Sequence, residues 1–352
     1  MTRGERLAKL VAEKELDQFF VSDLTNVRYL TGFTGTNGAC LVGAGEFVFF
    51  TDFRYTERAK AEVSPEWERP EAERELVPQI VRTMKGRVGF EDAKLSVRQL
   101  ARLEAAADDD VELVPAGDLV EQLRAVKEPE ELERIAAAAK LSDEVYGWAL
   151  ERGLAGRTER DIARAVEARI REVGAEASFP PIVATAEDGA MPHAEPGDRE
   201  IGSGELVVFD MGSVLDGYCS DCTRTFAVGE PGDDVREVYD VVLRAQQAAL
   251  DAVRPAVSGK EVDAVARAII SEAGYGDRFG HGLGHGVGLE VHEAPRLAMT
   301  SEDDLVEGNV VTVEPGVYLP GRFGVRIEDL VAVTADGHRN LSSRPKEFQV
   351  VD

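Results

Sequence analysis

Apolar and polar positions along the chain fall into blocks of different rhythm. Between Asp17 and Thr56, the short apolar runs FFVS, ACLVG and EFVFFTD alternate with the turn chemistry of GFTGTNG and GAG, which predicts strands joined by tight turns. The first residues and 95–107 have helical spacing, and VELVPAG reads as a last short strand, so the N-terminal stretch is an α/β unit. Pro129, just after Glu128, suits the first position of a new helix. The boundary is therefore set there: residues 1–125 as one domain and 126–352 as a second. In the second, helices are predicted over 129–152, 158–173, 233–254 and 259–273, with Thr158 and Asp161 in capping-box spacing. Strands and turns fill 179–229 and 279–335, which makes this domain α+β. No repeat is evident at a fixed period of about 20–50 residues.

Composition narrows the classes. With 43% hydrophobic and 30% charged residues, the 352-residue chain is a packed globular protein, and its length suits two domains of roughly 100–200 residues each. No apolar run approaches the roughly 20 residues of a membrane helix, so no membrane association is expected. The segment MTRGERLAKLVAEKELD breaks its apolar residues with charges and lacks the core of a secretory signal, so a cytoplasmic location is expected. A net charge of −26 repels phosphate backbones and argues against a nucleic-acid partner. Arginine supplies 31 of the 40 basic residues, and the acidic surface reads as salt adaptation. Three cysteines cannot form a disulfide framework. Cys219 and Cys222 spell C-x-x-C within a strand pattern, where residues three apart face opposite sides, so they are not expected to share a metal.

Three segments carry the candidate chemistry. In ELVVFDMGSVLDGYCSDCTRTFAVG, two apolar strands meet at Asp216-Gly217, a dipeptide that favours two-residue hairpin turns. That turn sets Leu215 opposite Tyr218 and Asp210 opposite Thr223, so Asp221 is the diagonal neighbour of Asp210 on one face. Diagonal partners lie about 7–8 Å apart at the backbone, a gap that two divalent ions roughly 3.5–4 Å apart can fill. Carboxylates in apolar strands need a cation. The segment FGHGLGHGVGLEVHEAPRL holds three of the five histidines, His281, His285 and His292, among glycines that predict a loop or irregular strand. In NVVTVEPGVYLPGRFGVRIEDLVAVT, read as one long hairpin, Glu314 ends an apolar strand and Glu328 lies within the next. Period two puts Arg326 beside Glu328, so a plain salt bridge is the alternative to metal binding there. Four carboxylates and one imidazole favour Mn²⁺ or Co²⁺, with zinc as the alternative, and two ions balance four negative charges.

These motifs resemble the "pita-bread" metallopeptidases (family M24), which include methionine aminopeptidase, aminopeptidase P and prolidase. FDMGSVLDGYCSDCTRTF, HGLGHGVGLEVHE, TVEPGVY and VRIED occur in the family's order, and the resemblance spans nearly the whole chain. It implies an N-terminal creatinase/prolidase-like α/β domain followed by a pita-bread catalytic domain. It further implies that Asp210 holds one metal, that Asp221 and Glu328 bridge both, and that His285 and Glu314 hold the other. Glu314 would also shuttle a proton while a metal-bridging hydroxide attacks. His193, in MPHAEPGDR, and His292 would steady the substrate carbonyl and oxyanion, His281 would line the substrate site, Arg326 would support the metal carboxylates, and Tyr218 would stand behind the ligands. The N-terminal segment resembles that of the proline-specific branches, which implies cleavage of Xaa-Pro bonds in proline-containing peptides and pairing as a homodimer. Arg296, in HEAPRL, sits where prolidases place an arginine for the substrate carboxylate. The favoured reading is therefore an Xaa-Pro dipeptidase. Aminopeptidase P is the alternative, and a non-catalytic peptide-binding module the more remote one.

Overall fold

The computed structural model describes every residue except Ala72 and divides into two compact units, Met1–Arg124 and Ala125–Asp352. The first unit begins with α1 (Arg3–Glu13), which Thr2 and Glu5 close with a reciprocal capping box. There follow β1 (Gln18–Val21), α2 (Leu24–Thr31), β2 (Gly38–Gly43), β3 (Glu46–Thr51), α3 (Thr56–Glu62) and α4 (Leu76–Val81). The unit finishes with β4 (Arg87–Phe90), α5 (Val97–Glu104), β5 (Glu112–Pro115) and α6 (Leu119–Ala125). Its sheet has the order β3-β2-β1-β4-β5, with β1 antiparallel to β2 but parallel to β4. Phe20, Leu41, Phe50, Val88 and Leu103 pack its core. Helix α2 lies in a stretch whose sequence predicts only strands and turns. Asp23 caps its start, and Gly32, at φ 83°, ends it in the left-handed conformation that suits glycine.

The second unit repeats one plan twice. First come α7 (Pro129–Leu150) and α8 (Glu159–Glu172), then the strands β6 (Glu176–Ala177), β7 (Ile182–Thr185), β8 (Glu205–Met211), β9 (Ser213–Leu215), β10 (Tyr218–Cys219) and β11 (Cys222–Val228). Then come α9 (Asp233–Ala252) and α10 (Gly259–Glu272), followed by β12 (Gly284–Gly286), β13 (Glu293–Leu297), β14 (Val310–Val313), β15 (Gly316–Leu319), β16 (Phe323–Arg326), β17 (Asp329–Thr334), β18 (Gly337–Asn340) and β19 (Val350–Val351). In each half a long antiparallel pair, β8 with β11 or β14 with β17, is interrupted by a smaller hairpin, β9–β10 or β15–β16. The repetition lies in element order and is invisible as a residue period. Tyr146, Val166, Phe209 and Phe226 fill the core of the first half, and Tyr239, Val242, Ala266, Val311 and Val331 that of the second. Among the described residues no helix is long and apolar enough to cross a membrane.

Thr158 accepts from the amide of Asp161, so half of the expected capping box forms. The segment 309–334 is not one long hairpin: its strands stop on either side of Glu314-Pro315 and Ile327-Glu328, and β15–β16 pair as a separate ribbon. Proline at 315 cannot donate to a ladder, which helps to end β14 there.

Candidate metal centre

The acids sit where the paired strands break. Asp216 and Gly217 both have positive φ, 50° and 85°, as a two-residue hairpin turn of mirror-image type requires. The register follows: Leu215 opposes Tyr218, and Asp210 opposes Thr223. Asp221 itself leaves the ladder between β10 and β11. Opposite this break is Gly212, where a Cβ would stand 1.9 Å from the carbonyl oxygen of Ser220, so only glycine lets the two segments approach. In the second half Glu314 follows β14 and Glu328 precedes β17 directly, flanking the terminal Val313–Asp329 pair. The amide of Glu328 donates to Thr223 O at 3.1 Å and joins the two halves of the unit. Gly284 serves the remaining candidate, His285. A side chain there would meet Thr312 O at 2.0 Å, so the glycine allows β12 to lie against β14 and present His285.

Asp210, Asp221 and Glu328 bring one carboxylate oxygen each to within 4.8 Å of one another. Nε2 of His285 is 3.7 Å from Asp221 Oδ2 and 3.2 Å from Glu314 Oε1. All three carboxylates of the cluster are nearly sealed from solvent, at 8%, 6% and 1% exposure. Burial pushes the carboxyls of Asp221 and Glu328 well up, and the neighbouring carboxylates push in the same direction. Burial also raises Asp210, against the opposing pull of Arg326. Burial likewise acts upward on Glu314, but the hydrogen bond and charge of His285, with His281 and Arg326, outweigh it and hold the carboxyl at about 2.

The donor set passes a direct test for a cation. Oδ1 of Asp210 and Oε1 of Glu328 are buried with no hydrogen bond among the described residues, a costly state for carboxylates unless a positive ion faces them. His285 points the same way. Its Nδ1–H donates to Gly286 O at 3.1 Å, so Nε2 turns a lone pair toward two carboxylates unless a proton or a cation lies between. Four carboxylates and one imidazole fit divalent ions that prefer oxygen.

Arg326 is not the salt-bridge partner of Glu328. The strand breaks at Ile327, so the period-two argument fails there, and the guanidinium instead donates to Asp210 Oδ2 at 2.7 Å. Thr223 mediates between the two residues: its Oγ1 accepts from Arg326 Nε at 2.9 Å and donates to Glu328 Oε2 at 2.8 Å. Tyr318 is a residue the sequence reading missed. Arg326 Nη1 donates to its hydroxyl at 3.0 Å, and that hydroxyl donates to His281 Nε2 at 2.9 Å while His281 Nδ1–H donates to Gly282 O. Its only sequence signal was a tyrosine in an apolar strand that breaks at the acids. Tyr218 goes elsewhere. Its hydroxyl donates to Glu131 Oε1 at 3.0 Å, and it does not line the cavity. Cys219 and Cys222 belong to separate apolar clusters and share no site.

A cavity of about 650 Å³ opens over this cluster and is walled by His193, His281, His292, Arg296, Phe179 and Pro196. The rings of His292 and His285 meet edge to face at 4.3 Å. Arg296 is exposed and has no ion pair among the described residues.

Residues 133–335 match the model of Metallopeptidase family M24, and residues 3–126 match that of the Creatinase/Prolidase N-terminal domain. The chain belongs to metallopeptidase family M24. Among M24 relatives, the Xaa-Pro dipeptidase of Pyrococcus furiosus is 37% identical over 98% of this chain and 99% of its own. The solved Xaa-Pro dipeptidase of Bacillus anthracis superposes with a TM-score of 0.96 at 37% identity, covering 99% of both chains. An X-Pro aminopeptidase of Thermotoga maritima gives 0.90 at 35% identity, covering 99% of this chain and 100% of that one. The chain is thus an M24 enzyme of two-domain, mixed α and β build, with divalent metal ions as the family's cofactors.

Proposed function

We propose that this chain is an Xaa-Pro dipeptidase, a reading carried by the guanidinium of Arg296, which has no ion pair among the described residues and lies in the same cavity as the acid cluster. Asp210, Asp221, His285, Glu314 and Glu328 would hold two divalent ions, Mn²⁺ or Co²⁺ on donor chemistry. Bound there, the ions supply Lewis acidity and activate water as a nucleophile at neutral pH. His193 and His292 donate to the scissile carbonyl oxygen as it gains charge. Glu314 takes the proton lost by the attacking water and delivers it to the proline nitrogen as the C–N bond breaks, and the second water proton passes from the new carboxyl of Xaa to the secondary amine of proline, leaving a carboxylate and a secondary ammonium. The proposal extends to a homodimer, on the resemblance, to a cytoplasmic location, on a count of three cysteines that is too low for a disulfide framework, and to a salt-adapted surface, on the net charge of −26.

An arginine fork grips a terminal carboxylate through paired hydrogen bonds, and only a dipeptide places that carboxylate on the proline itself. Arg296→Ala is therefore expected to lower kcat/KM on Leu-Pro by roughly 10–100-fold, the worth of a lost charge-assisted hydrogen bond. On Leu-Pro-Gly the loss should stay within about threefold. Equal losses on both peptides would favour the second reading, an Xaa-Pro aminopeptidase, which the likeness to the Thermotoga maritima structure supports.

A further inference from the structure

His193 has no hydrogen bond of its own among the described residues, and its ring is exposed to the cavity. Its position is therefore set by the backbone that carries it. That backbone is the segment 186–196, which also brings Pro192, Ala194, Glu195 and Pro196 to the cavity wall. Both ends of the segment are held by a single side chain. Glu159, the first residue of α8 and 1% exposed, accepts from Thr185 N at 2.7 Å through Oε1 and from Gly197 N at 2.8 Å through Oε2. Around this clamp, Glu159 N donates to Arg199 O, Arg160 N donates to Gly197 O, and Arg326 pins the middle through Pro192 O at 3.0 Å.

We infer that Glu159 is a positioning residue for catalysis, acting through His193 by clamping the two ends of the 186–196 loop. The inference rests on the peptidase reading, in which His193 faces the substrate carbonyl. A carboxylate suits the task because it only accepts hydrogen bonds and has two oxygens, one for each amide. The start of a helix also favours its charge. A neutral amide in its place must turn an NH₂ toward one of the two N–H donors, so one end of the loop is released.

The test is a double-mutant cycle on the Mn²⁺-loaded full chain, with Glu159→Gln, His193→Ala and the double variant. Glu159→Gln is expected to lower kcat/KM on Leu-Pro by on the order of 10²-fold, the effect of misplacing a catalytic group by about an ångström. In the His193→Ala background the same change should cost less than about twofold, and bound Mn²⁺ per chain should not change. Full additivity, or no loss in the single variant, would overturn the inference, as would loss of Mn²⁺. If Glu159→Gln does not fold, Glu159→Asp takes its place, since it keeps the charge but is one methylene too short to reach both amides. Wild-type inactivity on both Leu-Pro and Leu-Pro-Gly would instead refute the peptidase reading. Amide exchange then decides the clamp: faster exchange confined to 185–197 in the variant supports it, and an unchanged pattern overturns it.

Discussion

Glu314→Gln is expected to lower kcat on Xaa-Pro dipeptides by on the order of 10²–10⁴-fold, the usual worth of a placed proton carrier. Glu314 combines two features. Its carboxyl is held below the usual carboxylate range and so stays ionised, and it lines the cavity where a peptide would lie. Glutamine keeps the shape and can still accept from Thr312 Oγ1, which is 3.0 Å from Oε1, but it can neither take up a proton nor carry charge. The fold should survive, with an unfolding midpoint within a few degrees of wild type. Retention of more than a tenth of the activity at saturating Mn²⁺ would remove Glu314 from the proton path.

Arg326→Met is expected to destabilise the metal-free protein by roughly 3–5 kcal/mol, as removal of one partner of a buried ion pair does. The guanidinium is 4% exposed and makes bonds to Asp210, Thr223, Tyr318 and Pro192 O. Without it, Asp210 joins the other acids with no cation near. The loss measured by urea unfolding should be larger in chelator than in Mn²⁺, because divalent ions restore part of the missing charge. Equal losses in both media would mean that Arg326 acts by packing alone.

The hairpin of Asp210 and Asp221 was legible because two short-range signals agreed: the Asp216-Gly217 turn sets the register, and period two sets the face. Strand parity failed beyond it, at Glu314 and Glu328, because the sequence does not announce where a ladder stops. The break at Ile327 moved Arg326 from Glu328 to Asp210. His285 was legible as part of a cluster, but its place beside the acids needed the close approach of Gly284 to Thr312 and the bond that commits Nδ1 to Gly286. Tyr318 was missed because a buried tyrosine in an apolar strand looks like packing until its hydroxyl is seen between Arg326 and His281. Glu159 was read as part of an ordinary helix start, since its partners, Thr185 and Gly197, are far along the chain. In the first unit, α2 was lost among turns although Asp23 and Gly32 mark both of its ends.

The central claim is that the five residues Asp210, Asp221, His285, Glu314 and Glu328 bind metal ions with which the chain hydrolyses the bond before proline. The most direct test is proline release from Leu-Pro by protein first stripped with a chelator and then supplied with Mn²⁺, Co²⁺ or Zn²⁺. The account predicts no turnover in the stripped protein and its return with Mn²⁺ or Co²⁺, together with two ions bound per chain by elemental analysis. Failure to cleave Leu-Pro with every one of these metals, or full activity in the stripped protein, would contradict it.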